Sequence, residues 1–262
     1  MIRRIDDLGR EVELAYPAAR IVSLVPSITE SLFALGAGSQ VVGITDYCMH
    51  PAEGVSAKTR VGGTKNIAVD SIISLHPDLV IANVEENTKD QVEQLEQAGL
   101  KTFVTFPRTV DGALKMIAAV AALAGSESQG LLMVQSIDEA RAAARAPMRA
   151  VPVRVLCPIW KDPYMTINGD TFVDSVIRAS GGRNVYEERP ERYPIFSLED
   201  AAARGPEVVL LPTEPYHFIE ADKANFKGLG IARIHIVEGE LLSWYGPRLS
   251  RALATVAALL RQ

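Results

Sequence analysis

Two 12-residue segments of this chain match each other without a gap: Val69-Asp-Ser-Ile-Ile-Ser-Leu-His-Pro-Asp-Leu-Val80 and Leu198-Glu-Asp-Ala-Ala-Ala-Arg-Gly-Pro-Glu-Val-Val209. Each segment predicts a short helix, a stop, a proline with an acidic residue, and then the start of a strand. Two further pairs match in the same order along the chain: Arg20-Ile-Val-Ser23 with Arg154-Val-Leu-Cys157, and residues 30–38 with residues 174–182. This shared order predicts an internal repeat and therefore two similar lobes.

Short β-branched runs alternate with longer segments of helical period throughout the chain. This alternation is typical of βαβ units and a mostly parallel sheet, so the predicted class is α/β. Strands are predicted at Ile21–Leu24, Val41–Ile44, Leu79–Ala82, Thr102–Thr105, Val153–Leu156, Val208–Leu211 and Ile234–Val237. Helices are predicted near Ile28–Leu35, Val69–Leu75, Lys89–Ala98, Thr171–Ala179, Leu198–Ala203 and Pro247–Arg261.

The segment between the two lobes has the composition of a long helix. Residues 109–146 are rich in Ala, Leu, Met, Glu and Arg and carry no strand signal. Gly125 interrupts the segment, Ser126 can cap a second helix, and Pro147 predicts the end of that helix. The predicted fold is therefore two Rossmann-like lobes with mostly parallel sheets, joined by a single long rigid helix, with a cleft between them. The predicted division is 1–108 for the first lobe, 109–147 for the helical connection and 148–262 for the second lobe.

The composition is that of an ordinary folded protein. The 262 residues are 48% hydrophobic and 23% charged, which excludes a disordered chain and a disulfide-stapled miniprotein. There are 27 Lys and Arg residues against 32 Asp and Glu residues, and the formal net charge is −5. No basic cluster is long enough to follow a phosphate backbone, so nucleic acid is not an expected partner.

The sequence also bears on the compartment. The longest apolar run, residues 116–124, has nine residues, whereas a membrane-spanning helix needs about 20, so no membrane span is expected. Acidic residues follow Met1-Ile-Arg-Arg4 at once, and no secretory signal is predicted. The chain is then either cytoplasmic, if this is the full native chain, or the mature form of an exported protein. Cys48 and Cys157, 109 residues apart, fit neither a metal spacing nor a disulfide framework.

Polar and aromatic loops follow the predicted strands of both lobes. Ligands bind at the carboxyl ends of the strands in open parallel sheets, so these loops are the expected site. Planar aromatic side chains orient flat, ring-bearing ligands, and the alternative is that they pack over the sheet ends as part of the core. The candidates are Tyr47, Trp160, Tyr164, Tyr216, Trp244 and Tyr245. Ligand binding is favoured for Tyr47, Trp160 and Trp244 as a group.

The segment Asp46-Tyr-Cys-Met-His50 gathers a carboxylate, a thiol and an imidazole. Cysteine and histidine are common ligands of transition metals, so Cys48 and His50 are candidate contacts of a metal-bearing ligand. The alternative is a buried thiol and a solvated histidine. Further candidate ligand-binding residues in the loops are Lys65, Glu86, Arg108 and His217, although Glu86 and its neighbour Glu85 are also typical of a solvated pair.

The sequence lacks the motifs of the common enzyme classes. There is no Gly-x-Ser-x-Gly elbow, Walker loop, dinucleotide fingerprint or His-Glu-x-x-His motif. No catalytic residue and no covalently bound cofactor are therefore predicted, and the chain is not expected to be an enzyme.

Asp70 and Glu199 occupy the same position in the two copies of the repeat, in the first turn of a predicted helix. A carboxylate there interacts favourably with the helix dipole, which is one explanation of the pair. The other explanation is that twin acids on twin lobes form two docking points for a symmetric partner.

The chain closely resembles the helical-backbone (class III) substrate-binding proteins of ABC importers. The resemblance covers nearly the whole chain and is densest between residues 20 and 108. It rests on Arg20-Ile-Val-Ser-Leu-Val-Pro-Ser-Ile-Thr-Glu-Ser-Leu-Phe-Ala-Leu-Gly36, Val42-Gly-Ile-Thr-Asp-Tyr-Cys48, Val61-Gly-Gly-Thr-Lys-Asn66 and Leu75-His-Pro-Asp-Leu-Val-Ile-Ala82. Such proteins carry vitamin B12, haem or iron–siderophore chelates, and the Asp-Tyr-Cys form is most similar to the cobalamin-binding branch.

The resemblance implies a monomeric, non-enzymatic binding protein at the periplasm or cell surface. It would capture a metal chelate, first of all a corrinoid such as cobalamin and otherwise haem or an iron–siderophore, in the cleft between the lobes. Asp70 and Glu199 would meet arginines of an ABC permease dimer. The alternative from another class is a cytoplasmic metal-chelatase-like enzyme of similar two-lobed architecture, which an acidic or histidine pair facing the centre of the cleft would favour.

Overall fold

Parallel strands alternate with helices in the computed structural model, which describes residues 1–145 and 151–262. The strands are β1 (Ile2–Ile5), β2 (Glu11–Leu14), β3 (Ile21–Ser23), β4 (Val41–Ile44), β5 (Thr59–Arg60), β6 (Gly62–Gly63), β7 (Asn66–Ile67), β8 (Leu79–Asn83), β9 (Thr102–Thr105), β10 (Val153–Leu156), β11 (Gly182–Asn184), β12 (Val208–Pro212) and β13 (Arg233–Val237). The helices are α1 (Pro26–Ala34), α2 (Ala52–Ser56), α3 (Val69–Ser74), α4 (Lys89–Gln97), α5 (Val110–Leu123), α6 (Glu127–Arg145), α7 (Phe172–Ala179), α8 (Leu198–Ala203), α9 (Lys223–Lys227), α10 (Gly239–Ser243) and α11 (Arg248–Arg261).

The first of two units comprises Met1–Pro107, Asp111–Gln135 and Tyr245–Pro247. Its main sheet has the order β5-β4-β3-β8-β9 with parallel pairing throughout. Every residue of β3 and β8 is buried, as expected for central parallel strands that are covered on both faces. Two small antiparallel pairs, β1 with β2 and β6 with β7, complete the unit.

The second unit comprises Arg108–Val110, Ser136–Trp244 and Arg248–Gln262. Its sheet has the order β11-β10-β12-β13, again with parallel pairing. Leu156 of β10 and Val209 and Leu211 of β12 pack in one core with aromatic side chains. These include Tyr186, Phe196 and Phe226. The predicted α/β class with mostly parallel sheets is confirmed in both units.

The predicted repeat is confirmed by matching contacts at the start of each sheet. Both helices of the repeat end in the left-handed region, at His76 with φ of 45° and at Gly205 with φ of 60°. The carboxylate two residues further on accepts a hydrogen bond from the backbone N–H of an arginine at the start of β3 or β10: Arg20, directly before β3, and Arg154, the second residue of β10. In the first unit Asp78 accepts from Arg20 at 2.8 Å, and in the second Glu207 accepts from Arg154 at 2.9 Å.

The long helix is α6, which spans 19 residues and therefore about 28 Å. Within α6, the residues up to Gln135 belong to the first unit and the residues from Ser136 onward belong to the second. The predicted stop at Pro147 and the boundary between residues 147 and 148 lie outside the described residues, and the division of the chain at residues 108 and 147 stays a prediction. Within 1–145 and 151–262, no helix combines the length and the apolar character that a membrane crossing requires.

Candidate functional site

A tight hairpin after β10 carries Trp160. The Ile159 N–H donates to the Met165 carbonyl at 2.8 Å, and the Met165 N–H donates to the Trp160 carbonyl at 3.2 Å. Asp162, in the turn, has φ of 62°, so the chain reverses within the residues between these two bonds. The hairpin leaves the Trp160 side chain at the surface, where the residue is 44% exposed.

Aromatic rings from two loops of the second unit meet at this hairpin. Trp160 contacts Tyr216, in the loop after β12, edge to face with ring centroids 5.8 Å apart. Tyr216 in turn packs on the buried Phe218 at 4.7 Å. Tyr164 lies half-buried in the same hairpin, against Phe196 at 5.5 Å. Trp160, Tyr164 and Tyr216 form what we call the aromatic surface, and such rings give a flat ligand apolar contact with little loss of entropy.

In the first unit, the predicted candidates Lys65 and Glu86 lie close together. The Asn83 side chain, at the end of β8, accepts hydrogen bonds from the backbone N–H groups of Glu85 and Glu86 and thereby fixes this loop. The Lys65 ammonium donates to the Glu85 carbonyl. Burial raises the pKa of the Glu86 carboxyl, and the Lys65 charge opposes that rise. The pair can offer both a donor and an acceptor to a ligand.

Tyr47 is an exposed aromatic residue of the first unit. It follows β4 and is 63% exposed. Its ring passes so close to Gly63 that a Cβ atom there would lie 3.3 Å from the Tyr47 Cε2 atom. Tyr47 therefore lies exposed in a loop, as the sequence predicts.

Cys48 does not reach a surface. It is fully buried, and its Sγ atom lies 3.1 Å from the Thr29 hydroxyl and 3.2 Å from the Thr45 hydroxyl. This placement corrects the prediction that Cys48 contacts a ligand or a metal, because two core hydroxyl groups already satisfy the thiol. His50 is half-buried and stays a prediction. The described part of the chain contains no cluster of three or more His, Cys, Asp or Glu side chains able to hold a metal ion.

Tyr245 also belongs to a core rather than to a surface. Only 6% of the residue is exposed, and its hydroxyl lies 3.5 Å from the Asn83 amide nitrogen. The prediction of ligand contact at Tyr245 is therefore corrected. Trp244 is half-buried, with the Arg248 guanidinium 5.0 Å from its ring centroid, so its ring face already has a cationic neighbour.

Arg108 and His217 are exposed, and both have polar partners within the second unit. The Arg108 guanidinium pairs with Asp170 at 2.9 Å, and Arg192 approaches the other oxygen of the same carboxylate at 2.9 Å. The His217 Nδ1 atom lies 3.2 Å from the Thr213 carbonyl oxygen. Ligand contact at Arg108 and at His217 stays a prediction.

Asp70 and Glu199 are exposed and stand at the second residue of α3 and of α8 respectively. Hydrogen bonds from the Glu199 backbone N–H and from the Ser197 side chain lower the pKa of Glu199 below its usual value. Ser197 also caps α8 by accepting from the Asp200 N–H, whereas Ala68 precedes α3 without a side-chain cap. Both acids are therefore open to a partner, and the lowered pKa keeps the Glu199 carboxylate charged at neutral pH.

Sequence reasoning missed Lys161 and Asp222, which connect the hairpin to the segment before α9. The Lys161 ammonium lies 2.7 Å from an Asp222 carboxylate oxygen. The two residues are 61 positions apart in the sequence, so local pattern gives no sign of this contact. The available signal was the position of Lys161, directly after Trp160 in a loop that follows a strand.

Comparison with known proteins gives the class. A family model described as periplasmic binding protein matches residues 21–227. The vitamin B12-binding protein of Vibrio parahaemolyticus is 27% identical over 194 residues, which are 74% of this chain and 70% of that protein. The periplasmic vitamin B12-binding protein of Vibrio cholerae has a TM-score of 0.80 at 23% identity, with 94% of this chain and 97% of that chain covered. A periplasmic haem-binding protein from Roseiflexus has a TM-score of 0.78 at 27% identity, with 93% and 98% covered.

The chain therefore belongs to the periplasmic binding protein family. Its role is that of a solute-binding protein, since this family consists of substrate-binding proteins and not of enzymes. The resemblance noted from the motifs between residues 20 and 108 is confirmed.

Proposed function

We propose that this protein carries a corrinoid of the cobalamin type. The observation that carries the proposal is the aromatic surface, which follows the carboxyl ends of β10 and β12, where parallel sheets bind ligands. Trp160, with 44% of its surface open, and the half-buried Tyr216 offer ring contact to a rigid, flat macrocycle. Such ligands lose little conformational freedom on binding, so contact area converts efficiently into affinity.

The names of the relatives favour cobalamin over other chelates. The curated relatives at 26–27% identity from Vibrio and Yersinia are vitamin B12-binding proteins. Haem-binding proteins are among the solved structures of similar fold, including one at 27% identity. Haem is therefore the ligand against which cobalamin has to be tested, and an iron–siderophore is the third choice.

Polar contacts are proposed from Lys65 and Glu86, because cobalamin carries peripheral amide groups that both donate and accept hydrogen bonds. The half-buried Glu86 carboxyl and the exposed Lys65 ammonium provide one acceptor and one donor. Tyr47, exposed in the same unit, is proposed as an additional ring contact. His50, Arg108, His217 and Trp244 complete the proposed set.

The carrier is proposed to be monomeric and non-enzymatic and to deliver its ligand to an ABC permease dimer from the periplasmic side of the membrane. The support is the pair of exposed acids Asp70 and Glu199, at matching positions of two repeat helices. A partner built from two like subunits has two like surfaces, so twin carboxylates are suited to pair with its cationic side chains.

Spectral titration tests the ligand. We expect saturable binding of cyanocobalamin at one molecule per chain, with quenching of tryptophan fluorescence, and weaker binding of haemin and of ferrichrome, a ferric siderophore. Tighter binding of haemin than of cyanocobalamin would contradict the corrinoid assignment but keep the carrier. Turnover of a porphyrin and a free metal ion into a chelate would contradict the carrier itself.

A further inference from the structure

The turn of the Trp160 hairpin is held at both ends by one short segment. That segment, which we call the brace, runs from Glu220 to Lys227 and comprises a 3₁₀ turn and α9. At one end of the turn, Lys161 pairs with Asp222 at 2.7 Å, and the Asp222 side chain is only 7% exposed. At the other end, the Tyr164 hydroxyl accepts a hydrogen bond from the Asn225 side chain at 3.0 Å.

The residues that make these two contacts have the same sequence spacing in the hairpin and in the brace. Residues 161 and 164 flank the turn, and their partners at 222 and 225 are also three positions apart, so they lie on one face of the brace. Asp222 in addition accepts a hydrogen bond from the Ile219 N–H at 2.9 Å. The same carboxylate therefore links the Trp160 hairpin to the end of the loop that carries Tyr216.

The Lys161–Asp222 ion pair is costly to break, because the Asp222 carboxylate is largely buried. Removing one partner of a buried ion pair leaves an uncompensated charge, which is far more costly than loss of a surface pair. The hydrogen bond with Asp222 raises the pKa of the Lys161 ammonium, which therefore stays charged at neutral pH. The hairpin is thus tied to the brace by a charged contact as well as by ring packing of Tyr164 against Phe226 at 5.7 Å.

We propose that Lys161 and Asp222 are positioning residues that hold Trp160 against Tyr216 before the ligand arrives. The inference rests on the proposed function of the aromatic surface as the ligand contact. A ring fixed in advance loses less freedom on binding than one on a loose hairpin. Immobilising a flexible side chain costs about 0.5 to 1.5 kcal/mol, so release of the hairpin weakens binding by about 2- to 10-fold.

The test compares variants in a Trp244→Phe background, in which Trp160 is the only tryptophan. Lys161→Met removes the charge and keeps a long side chain, Lys161→Arg keeps the charge, and Asp222→Asn removes the opposite charge. The matched control is Glu220→Gln, which breaks another ion pair of the same brace, Lys223 with the exposed Glu220 at 2.8 Å. The measurements are Trp160 fluorescence anisotropy without ligand, the dissociation constant and off-rate of cyanocobalamin, and the unfolding temperature.

We expect Lys161→Met and Asp222→Asn to lower the Trp160 anisotropy and to weaken cyanocobalamin binding by about 2- to 10-fold, mostly through the off-rate. Lys161→Arg should restore both values, and Glu220→Gln should change neither. A purely structural pair would lower the unfolding temperature and leave the anisotropy and the off-rate of the folded protein unchanged, and that result would overturn the inference. If Lys161→Met does not fold, Asp222→Asn gives the same decision.

Failure of the proposed function is separable from failure of this inference. If Trp160→Ala leaves cyanocobalamin affinity unchanged, the aromatic surface is not the ligand contact and the positioning role in binding falls with it. If Trp160→Ala weakens binding but Lys161→Met leaves both anisotropy and affinity unchanged, the surface is the contact and the ion pair does not position it.

Discussion

Replacement of Trp160 by alanine should weaken ligand binding by an amount that follows from its exposure. A tryptophan can bury up to about 250 Å², and the 44% that is exposed here leaves about 110 Å² for a ligand to cover. At about 25 cal/mol per Å², complete coverage contributes about 2.7 kcal/mol and half coverage about 1.4 kcal/mol. The dissociation constant for cyanocobalamin should therefore rise by about 10- to 100-fold.

The assay is a binding titration of wild-type protein, Trp160→Ala and a matched control. Tyr16→Ala serves as the control, because Tyr16 is an aromatic residue that is 81% exposed but is not part of the aromatic surface. Trp160→Phe should lose less affinity than Trp160→Ala, since it keeps a smaller ring. Urea denaturation should show a modest stability change, since nearly half of the Trp160 side chain is already in water in the folded protein.

Two outcomes would refute this reasoning. A loss below about 1 kcal/mol in Trp160→Ala, the scale of a single aromatic contact, would mean that the ring does not touch the ligand. An equal loss in Tyr16→Ala would mean that the ligand adsorbs to exposed aromatic residues without a specific site.

Three further predictions concern docking, pH and thiol chemistry. Asp70→Asn combined with Glu199→Gln should keep cyanocobalamin affinity and cost each helix only about 0.3 to 1 kcal/mol. The double substitution should weaken stimulation of a cognate permease's ATPase, and its difference from wild type should shrink as the salt concentration rises. Unchanged stimulation would contradict the docking role. Burial raises the pKa of Glu86 above its ordinary value near 4.5, so the folded state holds this proton to higher pH than the unfolded chain, and stability falls as pH rises through that window. Glu86→Gln should remove this slope in urea denaturation at a series of pH values, and identical slopes would count against it. Cys48 and Cys157 should resist a thiol reagent in the folded protein and react after unfolding, because both are buried and burial raises the pKa of Cys157 to about 12; fast labelling of the native chain would disagree.

Much of the fold could be predicted from local pattern. The central strands β8 and β12 contain the apolar runs Leu79–Ala82 and Val208–Leu211, and the Pro-acid pair that precedes each of them recurs at a constant offset. Such elements are specified by residues close in sequence. β11 was not predicted, because Gly-Arg-Asn has no strand preference and becomes a strand through its pairing with β10.

The candidate site residues could be assigned to their loops from the sequence, but their burial could not. The position of Trp160 and Tyr216 in loops after strands was sufficient to select them, since parallel sheets place such loops at one edge. Sequence could not separate them from Tyr245, an aromatic loop residue whose hydroxyl approaches Asn83 from 162 residues away. Cys48 was misassigned for the same reason, because only the fold brings the Thr29 hydroxyl to its thiol.

The most direct test of the carrier is calorimetric titration of the purified chain with cyanocobalamin. We expect one saturable site per chain, a dissociation constant in the micromolar range or below, and a negative heat-capacity change from burial of apolar surface. Absence of saturable binding by cyanocobalamin, by haemin and by a ferric siderophore alike would contradict the assignment of this chain as a carrier of metal chelates.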